Sequence, residues 1–116
     1  MPDKVIVHTK DEGIAVLTLN NPDRRNVLSV EVLETLQDAL RSISLDTDVR
    51  VVIIKSTGPV FSSGHDLRQL IDGSTESQRM LFAACTGVMI SIRNLPQPVI
   101  AQVRGLATAA GCQLVA

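Results

Sequence analysis

The run 51-VVIIK-55 constrains this chain more than any other feature. Four consecutive β-branched residues lose side-chain freedom in a helix and fit a pleated strand. Because the run is continuous rather than alternating, it predicts a strand covered on both faces and central in a sheet. The segment 99-VIAQV-103, opened by Pro98, reads as a second buried strand of the same kind. Buried strands need helices to cover them, so the fold class is α/β. One such helix is expected from Glu76 to Arg93, carrying Met80, Leu81, Ala84, Val88 and Ile92 inward and ended by Asn94 and Pro96. Upstream, the alternation of Val5–Val7 and Ile14–Leu19 around 10-KDEG-13 predicts a β-hairpin closed at Gly13. After the loop 20-NNPDRRN-26, Ser29 caps a helix running to about Ser44, with Val30, Leu33, Leu36, Ala39, Leu40 and Ile43 on one face.

A length of 116 residues corresponds to one domain, and an apolar content of 45% suffices for a core. That core must be aliphatic, because Phe61 and Phe82 are the only aromatic side chains. Their scarcity also removes the stacking platforms that single-stranded nucleic acid uses. With a formal net charge of −1 and scattered Lys and Arg, the chain carries no basic footprint, so no nucleic-acid partner is expected. No apolar run approaches the ~18 residues of a spanning helix, so no membrane insertion is expected, and Met1 leads into a polar segment unlike a signal or transit peptide. Cys85 and Cys112 lie in apolar or small-residue surroundings without a CxxC partner or a His at ligand spacing. They read as buried thiols in a reducing compartment, with no metal site.

Chemistry concentrates in the two loops that leave the buried strands, since ligands of α/β sheets bind at the carboxyl ends of strands. Both 62-SSGHD-66 and 109-AAGCQ-113 combine small residues with the expected start of a helix. Helix starts leave N–H groups unpaired, and two aimed at one point hold a developing oxyanion. Close packing of helix on sheet is the competing explanation for such small-residue runs. Neither loop has the spacing of a phosphate-binding P-loop or of GxGxxG. A Ser63 or Cys112 nucleophile served by His65 is an alternative chemistry. The favoured reading has His65 acting through its backbone, with its ring exposed or packed at the pocket mouth.

The segments 59-PVFSSGHDL-67 and 98-PVIAQVRGLATAAGCQL-114, with the hairpin and the 21-NPDRRNVLS-29 loop, resemble the enoyl-CoA hydratase/isomerase, or crotonase, superfamily. The match runs through the whole chain in order, and its wording points to one subgroup. The resemblance implies a spiral of ββα units, of which residues 1–116 are the N-terminal part of one domain, with the C-terminal half lying beyond Ala116. It also implies a homotrimer or hexamer when complete, an acyl-CoA or enoyl-CoA thioester as partner, and no cofactor beyond the coenzyme A of the substrate. Localisation would be cytoplasmic in a bacterium and mitochondrial for a mature eukaryotic form.

Carried over residue by residue, the resemblance makes the N–H groups of His65 and Ala110 the oxyanion hole, Ala110 standing where relatives usually have the middle of three glycines. Ser63, Gly64, Asp66, Leu67 and Arg68 would line the coenzyme A pocket, with Asp66 holding the loop, and Arg25 and Val27 would close its other side. Gly111 would belong to the same substrate-binding surface. Gln113 occupies the position of a glutamate that, with a second one, activates water in the hydratases. A neutral amide exchanges no proton at pH 7, so two-glutamate hydration does not fit this sequence. Other acyl-CoA chemistry (isomerase, decarboxylase or thioesterase) and a non-catalytic paralogue that binds CoA esters both remain open at this level.

Overall fold

The computed structural model describes residues 6–71 and 73–116. A hairpin of β1 (Ile6–Asp11) and β2 (Ile14–Leu19) opens the fold, with Glu12 and Gly13 at positive φ in the two-residue turn. Such a turn matches the right-handed twist of the strands it joins. The expected strand residue Val5 lies outside the described residues. A single 3-10 turn (Pro22–Arg24) leads to α1 (Val30–Ser44), then β3 (Val51–Ser56), β4 (Val60–Ser62), α2 (Leu67–Ile71) and α3 (Thr75–Asn94). The chain continues through β5 (Val99–Ala101), β6 (Leu106–Ala107) and α4 (Ala110–Val115).

The main sheet has the order β1-β2-β3-β5, antiparallel in the hairpin and parallel from β2 onward. Ala15, Leu17 and Leu19 of β2 align with Val52 and Ile54 of β3 on the buried face, where they join Leu33, Leu36 and Leu40 of α1 and Leu81 and Val88 of α3 in one aliphatic cluster. The Ser29 hydroxyl accepts the Val32 N–H at 3.2 Å to start α1, as its position before the apolar stripe predicts. At the other end of α1, Gln97 Nε2 donates to the Ile43 carbonyl at 2.9 Å, which also accepts the Asp46 N–H at 3.0 Å.

Four expectations are corrected. β3 is interior to the sheet, but only one of its faces is closed. The opposite face carries Ile14 (42% exposed) and Ile100 (51% exposed), so among the described residues β5 stands at the sheet edge with one open side rather than fully buried. β-branched runs report strand propensity, whereas cover depends on which layers exist, and among the described residues no helix lies on that side. Met80 is 53% exposed, because the inward stripe of α3 follows Leu81, Cys85 and Val88 at helical spacing and Met80 falls a third of a turn off it. Cys112 is exposed on the outer face of α4, whose Ala110, Gly111 and Leu114 turn inward, while Cys85 is buried and its thiol is pushed up by desolvation. The small parallel sheet of β4 and β6 lies within stretches read from sequence as loops, since strands of two or three residues carry no period.

One buried polar side chain ties the loops together. Asn26, 2% exposed and at φ 52°, donates from Nδ2 to the carbonyls of Thr57 and Val60, both at 2.9 Å, and accepts the Asn21 N–H on Oδ1 at 2.7 Å. Its own carbonyl accepts the Ser62 hydroxyl at 2.9 Å. Truncation to Ala leaves three backbone groups unpaired, at about 1–3 kcal/mol for each buried one. Asn26→Ala should therefore lower stability by about 3 kcal/mol or more, read as a drop in the guanidinium unfolding midpoint. A loss below about 1 kcal/mol would show that water replaces the amide freely.

Candidate functional site

Ser62 carries the Asn26 network into the first small-residue loop, its Oγ accepting the Gly64 N–H at 3.2 Å. Two further bonds hold that loop against the 20–28 segment, Leu28 N–H to Gly64 O at 2.7 Å and Ser63 N–H to Arg25 O at 3.1 Å. The second loop is tied to the same strand by Thr108 N–H to Ser62 O at 3.1 Å. The backbones meet at Gly64, which has φ +94°, where a Cβ would lie 2.9 Å from Ala109 Cβ and 3.1 Å from the Ala110 nitrogen. Only glycine fits there. A Cβ on Gly111 would collide with the Ser62 carbonyl, so that glycine lets α4 press onto β4.

This approach places the His65 and Ala110 N–H groups on neighbouring loops. Neither has a protein acceptor among the described residues. For Ala110 the reason is positional, since it is the first residue of α4 and no intrahelical carbonyl reaches back to it.

Beside them runs a groove of about 530 Å³. Of the residues singled out in the sequence, Arg25, Val27, Ser63, His65, Asp66, Leu67 and Arg68 all line it. Gly64 is buried behind it, and Ala110 and Gly111 are buried in the first turn of α4. Gln113 is exposed one turn further along α4 and is not part of the groove wall. Sequence reasoning missed Asp23, Arg24, Leu70 and Ala109, which also line the groove. The Arg24 guanidinium reaches Asp66 Oδ2 at 2.8 Å across 42 positions of sequence, a pairing that no local spacing could reveal. The other Asp66 oxygen accepts the Arg68 N–H at 3.0 Å, so this buried carboxylate both starts α2 and pins the groove wall to the 3-10 turn.

The His65 ring is half-buried and stands edge-on to Phe82 of α3, with centroids 5.3 Å apart and an interplanar angle of 89°. Its Nδ1 is enclosed without a hydrogen-bond partner of good geometry. Desolvation pushes the imidazole below its ordinary value of 6.5, and the Leu28 carbonyl nearby opposes this only in part. The ring is thus neutral at pH 7. Among the described residues there is no group of three or more His, Cys, Asp or Glu placed to hold a metal ion, and no helix is long and apolar enough to cross a membrane.

Residues 9–116 match the enoyl-CoA hydratase/isomerase family. The chain belongs to that family. Among curated relatives, enoyl-CoA hydratase domain-containing protein 3 of mouse is 47% identical over 108 residues, covering 92% of this chain and 36% of the relative. The human protein of that name is 48% identical over 106 residues, covering 90% and 35% respectively. Both relatives are named as mitochondrial. These relatives form the subgroup to which 62-SSGHDL-67 and 105-GLATAAGCQL-114 point. The crystal structure of the human protein superposes with a TM-score of 0.92 at 45% identity, covering 96% of this chain and 44% of that one. An enoyl-CoA hydratase of Mycobacterium smegmatis gives a TM-score of 0.92 at 44% identity, again over 44% of its length. The fold is therefore the crotonase α/β fold over part of its extent, and the chain spans well under half the length of these family members.

Within this family member, Ala109 is the strained point of the site. It sits at φ 50° and ψ −125°, a region favouring glycine, immediately before the Ala110 N–H. Such a conformation costs about 1–3 kcal/mol for a residue with a Cβ, against about 0.5–1 kcal/mol of extra chain entropy lost by glycine. Ala109→Gly should raise stability by about 1 kcal/mol, measured as an increase in the thermal midpoint. A decrease would mean that the methyl group contributes packing that outweighs its strain.

Proposed function

We propose that this chain forms the acyl-CoA-binding part of a crotonase-type protein, in which the thioester carbonyl oxygen is held between the N–H groups of His65 and Ala110. The observation that carries the reading is the pair of N–H groups without protein acceptors, on adjoining loops at the head of a groove. A carbonyl oxygen supplies the acceptor that both lack, and it binds more strongly as negative charge develops on it. The groove beside them presents Arg25 and Arg68, cations suited to the phosphates of coenzyme A, while Val27, Leu67 and Leu70 offer apolar surface to its pantetheine arm. Localisation in mitochondria, or in the cytoplasm of a bacterium, and assembly as a trimer or hexamer belong to the same proposal and rest on family likeness.

The direct test replaces Ala110 in the full-length protein with lactic acid, which exchanges the backbone N–H for an ester oxygen and leaves the side chain in place. Turnover of an acyl-CoA, or binding of an enolate-mimicking CoA analogue where turnover is absent, should fall about 10²- to 10³-fold, the typical weight of one oxyanion donor. An unchanged value would remove Ala110 from the site.

Gln113 favours a second reading for the chemistry, either acyl-CoA transformation other than two-glutamate hydration or binding of CoA esters without turnover. It stands three residues beyond Ala110, nearly one turn along the same helix, and it orients water without exchanging its proton. A well-placed carboxylate contributes about 10²- to 10⁴-fold in rate. Gln113→Glu should raise enoyl-CoA hydration by part of that factor, followed as loss of the conjugated thioester absorbance. A wild-type protein that already hydrates at ordinary enzyme rates would show that Gln113 does not limit the chemistry.

A further inference from the structure

We infer that the His65 imidazole is the proton-transfer group of this site, removing and returning a proton at the carbon next to the thioester carbonyl. The inference rests on the acyl-CoA reading above and adds a role for a side chain that this reading uses only through its backbone.

Four observations carry it. His65 lines the groove, and its own N–H is one of the two unpaired donors, so its ring is one side-chain length from the place where the carbonyl oxygen would sit. The ring is fixed in direction by the edge-on contact with Phe82. Its Nδ1 is enclosed in the protein, which leaves Nε2 as the nitrogen that the ring presents to a ligand. Finally, among the described residues, Gln113 cannot exchange a proton, and Asp66, a carboxylate in the same wall, is already occupied by Arg24 and by the Arg68 N–H. The other charged groups along the groove are Asp23, Arg25 and Arg68, while α3 contributes the uncharged Phe82 at the ring. Burial, rather than any of these charges, keeps the imidazole neutral and therefore basic at pH 7.

In the step itself, the Nε2 lone pair takes one proton from the α-carbon. The C–H electron pair moves into the carbonyl, and the resulting enolate oxygen is held by the His65 and Ala110 N–H groups. The imidazolium then exchanges its proton with solvent and returns one to the α-carbon, regenerating the thioester with no other reactant consumed.

The test follows incorporation of deuterium from D2O into the α-position of a saturated short-chain acyl-CoA, by mass spectrometry, alongside calorimetric binding of the same thioester to the full-length protein. Wild type should exchange with a rate that rises with pH and levels off, its inflection lying below the ordinary histidine value of 6.5 because only the neutral ring accepts a proton. His65→Gln should lose about 10²- to 10⁴-fold in exchange and lose the inflection, while its backbone N–H still supports binding. Phe82→Leu, which frees the ring without removing it, should keep the inflection at a reduced rate and covers the case in which His65→Gln folds poorly. Binding with no exchange in wild type, or exchange in His65→Gln within tenfold of wild type, overturns the role of the ring and leaves the binding reading standing. Absence of acyl-CoA binding by wild type overturns both.

Discussion

The site depends on one buried amide. Asn26 uses both protons of its side-chain nitrogen and its side-chain oxygen on three backbone groups, Asn21 of its own loop and Thr57 and Val60 beyond β3, and its carbonyl then takes the Ser62 hydroxyl. A fully satisfied buried polar group of this kind specifies one arrangement, because any other leaves expensive groups unpaired. From Ser62 the same network reaches Gly64, and from Ser62 O it reaches Thr108, so the two loops that carry the unpaired N–H groups are positioned by a single connected set of hydrogen bonds. The aliphatic sheet and helices below supply the cohesion, but they are non-directional and could not fix how the two loops meet.

Holding the two loops this close has a local cost, and that cost is visible. Gly64 and Gly111 lack the side chains that would hold β4, α4 and the intervening loop apart, while Ala109 accepts a glycine-like backbone conformation with a methyl group attached. Among the described residues the N–H groups of His65 and Ala110 have no protein acceptor, an arrangement that suits the oxyanion role proposed for them. Around them the groove mixes charged and apolar side chains, with Arg24 committed to Asp66. Asp66 is thereby a positioning residue for α2 and the wall.

Much of the frame was legible in the sequence. The hairpin follows from alternation about the turn at Gly13, α1 from a capping serine ahead of a helical stripe, and β3 from a β-branched run, because each depends on interactions within a few residues. Part of the groove lining was legible as well, since family likeness marks Arg25, Val27, Ser63 and the stretch His65–Arg68. What was not legible depends on distance along the chain. The Arg24–Asp66 pair spans 42 positions, the Asn26 amide reaches 31 and 34 positions forward, and Phe82 meets His65 from the middle of α3. None of these has a period or a motif.

The sequence by itself thus determined the local elements and the family, because strand, cap and small-residue signals are written within short windows and within the ordered segments shared with relatives. Only the tertiary structure decided which faces are covered and which donors stay free. The open face of the sheet at Ile14 and Ile100, the outward turn of Cys112 and the exposure of Gln113 are properties of neighbours rather than of residues. The neutral, edge-held ring of His65 belongs to the same group, since burial, and with it the imidazole's proton affinity, exists only once α3 and the two loops have packed together.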